Sequence, residues 1–172
     1  PPDGFLQGVR ELCDRHGILM VADEVMAGFG RTGRWFAVDH WDVVPDLMTM
    51  AKGLTSSYLP LGGVAMRHHV AEAFETKMFY GGLTYSSHPI SLAAALATIR
   101  VYEEDGLLEH TARMGEVMRG HHERLAARHP SVGAHRNLGL FGILDLVRSH
   151  DPWTPLTPFN GTSVEMKAVG AY

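Results

Sequence analysis

The chain has 172 residues and a formal net charge of −4, with 45% hydrophobic and 20% charged residues. That length and mix fit one globular domain or a little more, large enough to bury a core. The slightly acidic balance offers no basic surface for nucleic acid or an anionic membrane, and no run of about 18 apolar residues marks a membrane span.

The single cysteine, Cys13, allows no internal disulfide and no cysteine metal cluster, which fits a reducing, cytoplasmic setting. The 11 histidines invite a metal reading but do not support one. His68-His69 and His121-His122 are adjacent pairs, and neighbours on a helix diverge around its axis. No H-E-x-x-H pattern is present, so no metal site is expected. The chain opens on Pro1-Pro2-Asp3-Gly4, with no initiator methionine and no basic-then-apolar signal segment. It stops at Tyr172, inside a helix-like pattern that begins near Ser163. An internal stretch of a longer protein is expected.

Phe5 to His16 predicts an amphipathic helix with Leu6, Val9, Cys13 and His16 on one stripe. Asp3 fits its N-cap, and Gly17 follows its last turn. Ile18-Leu19-Met20-Val21-Ala22 is continuously apolar, as in a parallel strand covered on both faces, and it ends in Asp23-Glu24. Ligands of open α/β sheets sit outside the carboxyl ends of the strands, so this acidic pair lies where chemistry is expected. Gly28-Phe29-Gly30-Arg31-Thr32-Gly33 matches the letters of a dinucleotide fingerprint. That motif should open a helix directly after a strand. Here Asp23 to Ala27 intervene and no helical pattern starts at Arg34, so a glycine-rich loop is expected. Trp35, Phe36 and Trp41 read as packing residues under it.

Pro45-Asp46 introduces Met48-Thr49-Met50-Ala51-Lys52-Gly53, a short buried strand that ends in a lysine. Two readings of Lys52 are open. A long side chain can snorkel to the surface from a strand end. Alternatively, desolvation lowers the amine's pKa and makes it a nucleophile able to form a Schiff base. Leu61 to Met66 predicts another buried strand, and Val70 to Phe74 a short helical piece. Gly81-Gly82-Leu83-Thr84-Tyr85-Ser86-Ser87 is a small, hydroxyl-rich loop before an alanine-rich helix, Pro89 to Glu104. Ser87 fits the N-cap and Pro89 the first turn. The loop is either an anion site at a helix N-terminus or simply a cap. Leu107 to His129 predicts a long surface helix with Met114, Val117, Met118, His121 and Leu125 on one stripe. Val132 to Arg136 and Leu140 to Val147 predict two strands around Asn137-Leu138-Gly139, and Ser149 to Thr162 a loop. A second, α+β domain is expected to begin near residue 130.

The stretches Leu12 to Leu19, Ala22 to Val25, Gly28 to Gly33, Pro45 to Gly53, Pro60 to Val64 and Thr84 to Pro89 together resemble the class III aminotransferases. These are the omega branch of the fold type I pyridoxal-phosphate enzymes, and the flavour is similar to the taurine–pyruvate and beta-alanine–pyruvate transaminases. The resemblance covers nearly the whole chain. It implies an α/β fold: the second half of a large domain, a mainly parallel sheet with flanking helices, over residues 1–130. Residues 131–172 would begin a carboxy-terminal small domain.

The resemblance also assigns roles. Lys52 is implied to hold pyridoxal 5′-phosphate as an internal aldimine and to shuttle a proton. Asp23 is implied to pair with the pyridine nitrogen, which makes the ring an electron sink. Val25 is implied to pack on the ring, and Thr84 to bind the cofactor phosphate across a homodimer interface. Glu24 is expected to be structural. Met26 stands where many members carry a glutamine near the phenolic oxygen. The upstream phosphate turn, the stacking aromatic and the arginine for a substrate carboxylate have no counterpart between Pro1 and Tyr172, so the stretch alone is expected to be inactive. The implied reaction moves an amino group from an amine or omega-amino acid to a keto acid such as pyruvate. A pyridoxal-phosphate aminomutase or racemase is the alternative, and a nicotinamide-dependent oxidoreductase rests only on Gly28 to Gly33.

Overall fold

The computed structural model describes residues 1–169. The chain divides into two compact units, one from Pro1 to Ala112 and one from Arg113 onward. That division falls inside a helix, whereas residue 130 lies just beyond the helix end. The last residues of the expected segment 131–172 lie outside the described residues.

In the first unit, α1 (Phe5–His16) runs over the residues expected. Leu6, Val9 and Cys13 are half-buried, while His16 is exposed. Asp3 does not cap it: Gly4 holds that position and no side chain takes the first N–H groups. β1 (Val21–Asp23) pairs in parallel with β2 (Leu47–Met50), Val21 facing Leu47 and Asp23 facing Thr49. β3 (Gly63–Met66) pairs antiparallel with β2, Leu47 facing Met66 and Met50 facing Gly63. The sheet order is β1-β2-β3. The architecture is α/β as expected, but within the described residues the sheet is mixed rather than mainly parallel. The connection from Ala51 to Gly62 contains no crossover helix, so β3 turns back along β2.

A second correction concerns burial. The apolar run Ile18 to Ala22 is not covered on both faces in this chain. Ile18 is 58% and Val21 57% exposed, because β1 is the edge strand and carries helix α1 before it rather than layers on both sides. β2 is half-buried along its length, and Val64, Ala65 and Met66 of β3 are exposed. The apolar centre of the unit is instead Met20, Phe29, Val38, Val43 and Ala95.

Asp46 anchors the amino-terminal side of the sheet. Its Oδ2 accepts the Met20 N–H at 2.7 Å and Arg10 Nη1 at 2.8 Å. Its Oδ1 faces His69 Nε2 at 3.2 Å and Arg67 Nη1 at 3.8 Å. The carboxylate thereby ties α1, β1 and the segment after β3 to the start of β2. Past β3 come α2 (His68–Ala71) and a short 3-10 turn, Glu72–Phe74. α3 (Pro89–Glu104) begins with Pro89 in its first turn as expected, but His88 and not Ser87 stands at the N-cap. Ser87 is held at φ 58°, one residue before the N-cap, and no side chain caps the helix.

The second unit holds most of α4 (Leu107–Arg128), β4 (Val132–Leu138), β5 (Phe141–His150), β6 (Trp153–Pro155) and α5 (Val164–Val169). β4 and β5 form an antiparallel hairpin, with His135 facing Leu144 and Leu138 facing Phe141. β6 pairs back on β5 within the segment expected to be loop. Its three residues are too few for an alternating pattern to show. Val132 and Val147 are buried between the strands. Asn137 Nδ2 donates to the Gly115 and Gly139 carbonyls, each at 2.9 Å, which fixes the hairpin turn to α4. Arg148 holds α5 by a two-point pair with Glu165 at 2.8 and 3.0 Å.

Candidate active site

Because β1 and β2 run parallel and in register, their carboxyl ends lie side by side. Asp23 is the last residue of β1. Lys52 lies two residues past the end of β2 and opens a 3-10 turn, Lys52–Leu54. The Glu24 N–H donates to the Thr49 carbonyl at 3.0 Å, so the two strand ends stay joined where the chain leaves the sheet. Two positions well separated in sequence, Asp23 and Lys52, thus lie at the ends of neighbouring strands.

Asp23 is exposed, and its Oδ1 accepts the Val25 N–H at 3.0 Å. Its second oxygen accepts no protein donor among the described residues. Lys52 is also exposed, and no carboxylate pairs with it among the described residues. The strand was expected to be buried; of the two readings left open for its lysine, the structure of this chain shows an exposed side chain. β2 ends before Lys52, and the left-handed backbone at Lys52, φ 39°, turns the chain out of the sheet. Val25 is half-buried beside the site and Met26 is exposed.

Glu24 takes the structural part expected of it. It is 2% exposed, and its two oxygens accept the Ala37 and Val38 N–H groups at 3.0 and 2.9 Å. These are the first amides of a 3-10 turn, Ala37–His40, and a carboxylate suits free N–H groups there. His40 continues the same wall: its Nε2 lies 3.1 Å from the Thr32 hydroxyl. Burial, and then Arg34, push this imidazole below its ordinary pKa.

The glycine-rich segment is a loop, as expected. Phe29, Gly30 and Gly33 all take positive φ, and no helix opens at Arg34. That geometry denies it the helix N-terminus on which a pyrophosphate would rest. Phe29 is buried, with Phe36 edge-on at 5.5 Å, so the aromatics pack under the loop. The stretch 81–90, which carries Thr84, is exposed throughout. Its internal bonds are the Ser86 N–H to the Leu83 carbonyl and the Leu83 N–H to the Ser86 hydroxyl. Among the described residues no hydrogen bond joins Thr84 to the Asp23–Lys52 pair.

Two residues with structural work carried no signal for it in the sequence: Asp46, at the opposite end of the sheet from Asp23 and Lys52, and Tyr102. Asp46 read only as the entry to a strand. Tyr102 sits among apolar and acidic residues near the end of α3, yet its hydroxyl donates to the Gly53 carbonyl at 3.1 Å. Contacts made across 49 positions leave no local pattern to read.

The aminotransferase class-III family model matches residues 1–170. The chain belongs to the class-III aminotransferases. It is 42% identical over 151 residues to the putrescine–pyruvate aminotransferase of Pseudomonas aeruginosa, covering 87% of this chain and 33% of that protein. It is 35% identical over 162 residues to the taurine–pyruvate aminotransferase of Bilophila wadsworthia, covering 91% of this chain and 36% of that protein. Among solved structures it superposes with a TM-score of 0.96 on the taurine:2-oxoglutarate aminotransferase of Bifidobacterium kashiwanohense, solved in complex with PLP and glutamate. The identity there is 40%, over 99% of this chain and 38% of the other. The chain therefore shares the type I fold of these transaminases and spans about a third of the length of the relatives it matches.

Proposed function

We propose that this class-III chain carries the cofactor-binding lysine of a pyridoxal-phosphate-dependent transaminase. The observation that carries the reading is the placement of Lys52 and Asp23 at the carboxyl ends of adjacent parallel strands. The donor set fits the cofactor. At these neighbouring strand ends stand an amine with no carboxylate partner among the described residues and a carboxylate with one oxygen open among them, and half-buried Val25 supplies apolar surface for a ring. Pyridoxal phosphate, when bound, supplies a ring that accepts electron density from the substrate carbon bearing the amine.

In this reading Lys52 would hold the cofactor, and its amine would take the proton from that substrate carbon and later return it. The Asp23 carboxylate would keep a proton on the pyridine nitrogen by charge attraction. The Val25–Asp23 hydrogen bond fixes the carboxylate's rotamer for that task. Glu24 holds the wall behind them and makes no contact with substrate. Thr84, on its exposed loop, fits a role in the phosphate site of a second copy, in a homodimer. Residues 1–130 then belong to a large cofactor domain, and residues 131–172 begin a small one.

The amino donor is an amine or omega-amino acid and the acceptor a keto acid such as pyruvate. The putrescine–pyruvate and taurine–pyruvate relatives support this class. The test is reduction of the loaded, full-length enzyme with borohydride, followed by peptide mapping. The cofactor should be fixed on Lys52, and Lys52→Ala should lose about 100-fold or more in turnover, in line with loss of a proton-transfer group. Full activity in Lys52→Ala would sink the reading.

A further inference from the structure

We propose that Tyr102 is a positioning residue for Lys52, acting through the Gly53 carbonyl, one residue past the lysine. The inference rests on the reading of Lys52 given above. Lys52 holds a left-handed backbone at φ 39°, which a residue bearing a Cβ keeps only where its surroundings impose it. Those surroundings are specific. The Lys52 carbonyl accepts the Thr55 and Ser57 N–H groups at 3.3 and 3.2 Å, and the Gly53 carbonyl accepts the Ser56 N–H at 3.3 Å. Thr55 is buried, and its hydroxyl donates to the Leu59 carbonyl at 2.6 Å, pinning the far side of the turn.

Two elements then grip the peptide at Gly53. From α3, the Tyr102 hydroxyl donates to the Gly53 carbonyl at 3.1 Å. From the glycine-rich loop, Phe29 leaves no room for a side chain: a Cβ at Gly53 would lie 2.7 Å from Phe29 Cβ and 3.3 Å from the Tyr102 hydroxyl. The loop also steadies the tyrosine. Trp35 meets its ring edge-on at 5.9 Å, and Phe29 lies against it at 6.2 Å. The loop therefore acts as a brace: it fixes a tyrosine, and the tyrosine fixes the carbonyl next to Lys52. Without the hydroxyl the Gly53 carbonyl keeps only the Ser56 N–H, and the backbone that carries Lys52 is held less firmly.

Tyr102→Phe separates the hydroxyl from the ring packing, and Tyr102→Leu removes both. In cofactor-free full-length enzyme, Tyr102→Phe should speed amide hydrogen exchange across residues 51–57 about five-fold, the factor that one net hydrogen bond commands. In enzyme loaded with pyridoxal 5′-phosphate, the pH midpoint of the visible absorbance should move by roughly half a unit. The turnover number should fall while KM stays close to wild type, and the melting temperature should change little. If Tyr102→Phe matches wild type in exchange and midpoint, and only Tyr102→Leu is impaired, Tyr102 is a packing residue and the inference falls. Borohydride mapping separates this from the wider reading. A label on Lys52 with an unmoved midpoint overturns the role of Tyr102 alone. A label on another lysine overturns both.

Discussion

Glu24 and Asp46 are buried carboxylates that hold backbone. Glu24 supplies acceptors to two amides at the start of a turn. Asp46, 3% exposed, satisfies one amide and draws in two arginines and a histidine. The Met20 N–H, and then Arg10, hold the Asp46 carboxyl below the usual carboxylate range. Its folded pKa is depressed, so its contribution to stability is complete above the unfolded value of about 4 and is lost as pH falls through the folded value. Asp46→Asn keeps one acceptor but points an amide at positive groups. It should cost about 2–4 kcal/mol at neutral pH and flatten the acid branch of the stability curve. Urea denaturation at stepped pH reads both, and an unchanged acid branch would remove Asp46 from this account.

Packing between elements overrides propensity at Gly115. A glycine within α4 should be improved by alanine, by about 1 kcal/mol on intrinsic grounds. Here a Cβ would come within 2.7 Å of Gly139 Cα and 3.0 Å of its carbonyl atoms, which are backbone and cannot swing aside. Gly115→Ala should therefore destabilise the second unit by about 1–3 kcal/mol, the usual cost of overpacking, and thermal denaturation should show a lower melting temperature. A rise would mean that propensity wins. α5 is held differently. Arg148 first, then the helix's own amide, brings the Glu165 carboxyl down to about 2. The pair therefore persists through mildly acid conditions and is lost only as pH falls toward that value.

At the scale of the whole molecule, the exposed stretch 81–90 and the open pair Asp23–Lys52 pose one question: whether Thr84 serves its own site or a second copy's. Mixing Lys52→Ala and Thr84→Ala subunits of the full-length enzyme answers it. If Thr84 crosses the interface, each hybrid dimer rebuilds one site with both residues intact, and activity should rise well above the average of the two parents. If it serves its own site, the hybrids recover nothing. Turnover measured after co-refolding the two variants distinguishes these outcomes.

The sequence by itself determined the helices α1, α3 and α4 almost to the residue. α1 and α4 carry apolar stripes at helical spacing, α3 is alanine-rich, and Gly17 and Pro89 mark two of the ends. It also determined the family, because the segments around Asp23, Gly28 to Gly33 and Lys52 are contiguous runs. The tertiary structure decided what depends on contacts between distant positions. It turned β3 antiparallel, left the Ile18 to Val21 run on a half-open edge, and put Lys52 on an exposed left-handed turn. It added β6, whose pairing with β5 outweighs a turn-rich composition. It also gave Asp46 and Tyr102 their work, since a hydrogen bond to a carbonyl 49 positions away has no periodicity in the chain. Local pattern fixes which face of an element is apolar. Only packing decides which face is covered, and which carbonyl a tyrosine hydroxyl finds.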